Sequence, residues 1–161
     1  MFKTTFISVL FLSLLFSQTD SLMLSYTSGN EIDVILINSE PILGFQFDII
    51  GAEITSASGG LAEQYGFAVT AGTSTVVGFS MVGSTIPANS DSTLITITIE
   101  NDSSGEVCLD PSCWEPNSEN FTSCALSDAS WIPLGTPFLG ECISLLEDCS
   151  LGFDCNGECG G

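Results

Sequence analysis

Ile42-Leu43-Gly44-Phe45-Gln46-Phe47-Asp48-Ile49 decides the fold. Leu43, Phe45, Phe47 and Ile49 fall on one face of an extended strand, and Gly44, Gln46 and Asp48 on the other. Strict period-two alternation places one face in a core and one in water. Two large aromatics on the apolar face bury much area, which predicts a strand in the middle of a sheet. Beyond the first 17 residues no long helical pattern competes with it.

Strand patterns repeat on both sides. Leu22 to Ser28 precedes a turn at Ser28-Gly29-Asn30. Ile32 to Ile37 is nearly continuous in apolar side chains, which predicts burial on both faces. Asn38-Ser39-Glu40-Pro41 turns into the central strand, with Pro41 at the strand's first residue, where its missing donor does no harm. Ala52 to Ala57 extends or follows it. Leu61 to Tyr65 is the one helical turn expected. Phe67 to Ala71, Thr75 to Val82 and Thr93 to Glu100 are further strands, with Val77, Phe79 and Met81 on one face. Ile95, Ile97 and Ile99 alternate against Thr96 and Thr98. Many short strands separated by Gly, Pro, Asn and Ser turns predict an all-β, antiparallel β-sandwich.

Residues 1–17 lie outside that domain. Lys3 precedes an apolar run from Phe6 to Phe16, and small polar residues follow. This reads as a secretory signal peptide cleaved after Ser17; the alternative, a transmembrane anchor, needs a run of about 20 apolar residues. Lys3 is the sole Lys or Arg in a chain with no His and 20 Asp and Glu. The exported product would carry no cationic side chain, so no side-chain salt bridge can form in it. Its negative field repels nucleic acid and anionic membranes. It favours solubility in salt and attracts divalent cations, above all calcium.

All seven cysteines lie after residue 107. With an export signal, disulfides are the default. After Asn101-Asp102-Ser103-Ser104-Gly105 a short strand, Glu106 to Leu109, leads into a long irregular excursion with four prolines. Such a loop needs a staple. We expect Cys113 with Cys124 and Cys108 with Cys142, although spacing alone does not fix connectivity. Glu141 to Leu145 reads as the last strand. The odd cysteine count, and the end of the chain within an apparent repeat, predict a truncated product.

The order Asn38-Ser-Glu-Pro-Ile-Leu-Gly-Phe-Gln-Phe-Asp-Ile49, then Gly66-Phe-Ala-Val-Thr-Ala-Gly72, Val76-Val-Gly-Phe-Ser-Met-Val-Gly83 and Ile86-Pro-Ala-Asn-Ser-Asp-Ser-Thr-Leu94 resembles a cohesin-like domain. The resemblance covers about residues 22–146 and rests on order and spacing. It implies a secreted bacterial jelly-roll sandwich, related in fold to certain carbohydrate-binding modules. Cohesins bind dockerins through one sheet face; no motif marks that face here. The excursion at 108–142 departs from the cohesin pattern, which bears on dockerin binding more than on the fold. Residues 147–161 form an acidic, Cys/Gly-rich linker. Its segment from Asp154 to Gly161 is similar to Cys-Gly-Gly repeats of large secreted proteins of marine bacteria, which often precede calcium-binding segments.

Chemistry is poorly supplied. Without His or a mature Lys, Ser-His-Asp, Cys-His and Ser-Lys machinery is impossible. Without Arg or Lys nothing clamps phosphate. Asp48 and Glu53 are the acids from which a secreted glycosidase would draw its pair, against the plainer reading of exposed acids. Cys142, Cys149, Cys155 and Cys159 are a conceivable zinc set, but close Cys-x-x-Cys pairs are missing. Asp148, Asp154, Asn156 and Glu158 alternate as calcium ligands in the tail, and Glu100, Asn101 and Asp102 cluster at a strand end. Neither has EF-hand spacing, and a solvated acidic tail is the plainer reading. Trp114, Phe121 and Trp131 in the excursion, with Tyr26 and Tyr65, are candidates for a sugar-stacking platform, against packing onto the sheet. Asn101-Asp102-Ser103 and Asn120-Phe121-Thr122 fit glycosylation acceptors. These readings converge on a non-catalytic binding module of a secreted or cell-surface protein, taking a dockerin-like protein or a polysaccharide, with further domains downstream. The alternative is a structural or adhesin spacer whose ligand is calcium.

Overall fold

The computed structural model describes residues 19–100, 105–115, 123–130 and 132–145. Expectations on residues 1–17 and 147–161 fall outside them. The described residues form two β-sheets packed face to face. The strands are β1 (Ser21–Ser28), β2 (Glu31–Ile37), β3 (Gly44–Ile50), β4 (Ile54–Ser58), β5 (Phe67–Ala71), β6 (Thr75–Ser80), β7 (Asp91–Ile99), β8 (Glu106–Leu109), β9 (Ala125–Ser127), β10 (Phe138–Leu139) and β11 (Ile143–Ser144). One helical turn, α1 (Gly60–Gln64), lies between β4 and β5, where the sequence predicts it. A 3-10 turn spans Pro111–Trp114.

The first sheet has the order β10-β1-β2-β7-β4 and the second β11-β8-β3-β6-β5, with β9 also paired to β3. Every pairing is antiparallel except β1 with β10. β3 is central: it pairs β6 on one side and both β9 and β8 on the other. Its alternation is realised, with Leu43, Phe45, Phe47 and Ile49 buried and Gln46 and Asp48 half-buried on the outer side. Phe45 stacks on Phe47 and Phe67 with ring centroids 6.0 Å apart in each case. Facing them, Ile32, Val34, Leu36, Leu94, Ile95 and Ile97 are fully buried from the first sheet.

Two expectations are corrected, and the shared face in β6 is given its side. β2 is not buried on both faces. Ile32, Val34 and Leu36 point inward, while Asp33, Ile35 and Ile37 are half-exposed. A two-layer sandwich has a single inner side per sheet, and Asp33 marks the outer one. In β6 the face shared by Val77 and Phe79 is the outer face; Val76, Gly78 and Ser80 face inward. The reason lies in β3. A Cβ on Gly78 would run into the Phe45 ring, so the large β3 aromatic occupies the space a β6 side chain would fill. The excursion is less irregular than predicted, since it contributes β9 and β10 to the sheets.

Two disulfides close this region, Cys108–Cys142 and Cys113–Cys124. The turn from β2 to β3 is fixed by Asn38, whose side chain is fully buried. Its Nδ2 donates to the carbonyls of Glu40 (2.7 Å) and Pro87 (2.9 Å), and its Oδ1 accepts from the Ser90 amide (3.1 Å). Buried polar groups are retained when they are satisfied in this way.

Candidate functional site

The outer faces of the two sheets differ in chemistry. The first carries a network of hydroxyls and a carboxylate beside half-exposed Ile35 and Ile37. Asp33 accepts from Thr96 Oγ1 at 2.6 Å and Thr93 Oγ1 at 3.3 Å, and Ser56 donates to Thr98 Oγ1 at 3.0 Å. No cation exists among the described residues, so hydroxyls and backbone amides satisfy the carboxylates. Asp20 likewise accepts from the Ser39 amide and hydroxyl. Asp128 accepts from the amides of Ser130 and Ile132.

The outer face of the second sheet is neutral and apolar at its centre. The register sets Ala68, Phe79, Gly44 and Ser127 in one cross-strand row, and Thr70, Val77, Gln46 and Ala125 in the next. The third row holds Thr75 and Asp48, where Thr75 Oγ1 donates to Asp48 Oδ1 at 2.6 Å. Asp48 is the one charged side chain of these three rows.

The β3, β6 and β9 members of the first two rows line an open, shallow depression. Gly44 supplies no side chain, so its position forms the floor between Phe79 and Ser127. Phe79 is 39% exposed despite its size. Beyond it the chain leaves the sheet with Met81 at 77% and Val82 at 81% exposure. Contiguous exposed apolar side chains rimmed by polar ones mark interaction surfaces. Alternation in the sequence sets Val77, Phe79 and Met81 on one face but does not say which side that face takes. The signal available in the sequence was Gly78, a gap on the opposite face just where a core strand needs volume.

The predicted site residues are distributed differently. Trp114 is buried at 3% exposure within the core cluster, beside buried Cys113, and is not presented for stacking. Its burial matches the packing alternative. Phe121 and Trp131 lie outside the described residues. Tyr26 is on β1 with its hydroxyl donating to the Gly29 carbonyl, and Tyr65 packs against the core after α1. Glu53 is exposed in the turn after β3, whereas Asp48 is held by Thr75. The Asp48 carboxylate and the sulfurs of Cys113 and Cys124 lie within 4.8 Å of one another, but both sulfurs are in a disulfide and offer no thiolate to a metal. Cys142, proposed for zinc, is bonded to Cys108. The remaining members of that set, Cys149, Cys155 and Cys159, lie outside the described residues. So do the calcium candidates Asp148, Asp154, Asn156 and Glu158, together with Asn101 and Asp102; Glu100 is exposed at the end of β7.

No family model matches the chain, and no curated protein matches it in sequence. Solved structures do match in fold. A chain of the CaDoc0917–CaCohA2 complex superposes with a TM-score of 0.50 at 12% identity, covering 78% of this chain and 99% of that one. A non-cellulosomal cohesin from the hyperthermophilic archaeon Archaeoglobus fulgidus gives 0.49 at 11% identity, covering 76% and 88%. The likeness is one of fold: a cohesin-like β-sandwich.

Proposed function

We propose that this chain is an exported, non-catalytic protein-binding module, and that it docks a dockerin-type partner on the outer face of the second sheet. One observation carries the reading. In a chain with 20 acids and one base, Val77 and Phe79 stand on an outer sheet face beside a depression free of charge. Solvent-facing strand positions of a soluble sandwich ordinarily hold polar side chains, as Asp33, Ser56, Thr96 and Thr98 do on the first sheet. The cohesin-like fold and the likeness to a chain of the two-component CaDoc0917–CaCohA2 complex support a protein as ligand. Both disulfides fit an oxidising, extracytoplasmic compartment.

The test is binding of the purified full chain to a panel of purified dockerin modules by biolayer interferometry. Phe79→Asp places a charge on the depression and weakens any binding module by at least about tenfold, or roughly 1.4 kcal/mol. Circular dichroism confirms that the variant folds. Equal binding by Phe79→Asp, or no binding by any module, overturns the reading.

A further inference from the structure

We infer that the Cys113–Cys124 disulfide is a latch that seats β9, so that the outer face of the second sheet is complete only in the oxidised chain. The inference rests on the docking reading above and adds its regulation: the chain becomes competent to dock after export. β8 and β9 lie along the same edge of β3, β8 opposite Ile49 and Ile50 and β9 opposite Gly44, Phe45 and Gln46. Between them the chain leaves the sheet at Asp110, whose amide donates to the Asp48 carbonyl at 2.9 Å, and returns at Ser123. The disulfide joins the exit to the return. Beside it the Cys113 carbonyl accepts from the amides of Ser123 (3.0 Å) and Cys124 (2.9 Å), and β9 starts at the next residue.

Little else holds β9. It is three residues long and sends one side chain, Leu126, into the core. Away from β3, among the described residues, it meets the Ser127–Pro133 bridge and a bond from the Leu134 amide to the Leu126 carbonyl. Yet Ala125 and Ser127 line the depression on the side of Gly44 away from Phe79. Cross-linking residues 11 apart removes chain entropy from the open state and favours closure by on the order of a hundredfold. With the latch open, β9 opens locally, the depression loses a wall and the Gly44–Gln46 edge is left unpaired. Closure is an oxidation. The Cys113 and Cys124 thiols give two electrons and two protons to the disulfide of an oxidant protein, which leaves as a dithiol, and one S–S bond forms in the chain. A reducing compartment keeps the pair open and an oxidising one closes it. Once closed, the cysteines are only 5% and 1% exposed, so a reductant reaches them after β9 has opened.

The other disulfide is the internal comparison. Cys108 sits opposite Ile50, at the other end of β3 from the depression, and Cys108–Cys142 closes a longer loop, whose loss costs more stability. The experiment compares the full-length wild type with two double variants, Cys113→Ala/Cys124→Ala and Cys108→Ala/Cys142→Ala, each checked by circular dichroism. Amide exchange over Ala125–Ser127 is at least about tenfold faster in the first variant and unchanged in the second. Binding to the dockerin panel weakens at least about tenfold in the first and less than about twofold in the second. Wild-type exchange over Ala125–Ser127 in the first variant, or weaker binding by the second than by the first, overturns the latch and leaves the docking face standing. No binding by any module overturns the docking reading and this inference together. Should the first variant fail to fold, the second is treated with dithiothreitol, which takes up the Cys113–Cys124 bond as its own cyclic disulfide; unchanged exchange and binding after that reduction overturn the latch.

Discussion

Removing the Asn38 carboxamide tests how the central strand is entered. Asn38 is fully buried, and its side chain joins three backbone groups from Glu40, Pro87 and Ser90. The Asn38 backbone also donates to the Ser90 carbonyl and accepts from the Asn89 amide, so the loop after Ile86 and the β2–β3 turn form one hydrogen-bonded unit. Asn38→Ala removes one hydrogen bond from each of two carbonyls and one amide, and the Pro87 carbonyl keeps only the Ser90 hydroxyl. At about 1 kcal/mol per lost bond, the loss is about 3 kcal/mol, and more if water cannot enter. For a domain of this size that lowers the Tm by about 10 °C. Urea unfolding followed by tryptophan fluorescence, with the disulfides intact, measures it: the midpoint falls while the slope stays constant. Ser90→Ala is the control, since it removes only an exposed hydroxyl bond to the Pro87 carbonyl and costs below about 1 kcal/mol. An Asn38→Ala loss no larger than that control refutes the reasoning.

Three further outcomes follow from packing and charge. Gly78→Ala drives a methyl into the Phe45 ring and costs about 1–3 kcal/mol by overpacking, read as a lower thermal midpoint; restoration by a second change, Phe45→Leu, ties the loss to that ring. Replacing Cys108 and Cys142 with Ala, at a separation of 34 residues, costs more than replacing Cys113 and Cys124 at 11. Loop-closure entropy gives about 4 against about 3 kcal/mol, and calorimetry of the two double variants ranks them. Sodium chloride raises the Tm of the wild-type chain, because screening relieves repulsion among acids that have no cation beside them; a Tm that falls between about 20 and about 300 mM contradicts this.

Much of the architecture is legible in the sequence because period-two burial is a local property. The alternation from Leu43 to Ile49 and that of Ile95, Ile97 and Ile99 each name their buried side. Spacing and the need to tie down a long loop also point to the disulfide pairs that the structure contains. The docking face is illegible for a related reason. An outer row of apolar residues, such as Val77 and Phe79, reads the same as an inner one until the opposite sheet is present. Only the approach of the Phe45 ring to Gly78 shows which side of β6 is full. Ile32 to Ile37 misleads likewise, since Ile35 and Ile37 are apolar yet sit on the outer side, partly covered by neighbours on β1 and β7. Short strands such as β9 and β10 carry too few residues to show a period, and their pairing depends on partners more than 70 residues away in sequence.

Amide hydrogen exchange with a bound dockerin module addresses the docking face most directly. Protection is predicted over Gly44–Gln46, Val77–Phe79 and Ala125–Ser127, with the Thr93–Thr98 stretch of the first sheet unchanged. Protection confined to the first sheet, or spread equally over both, would contradict the account.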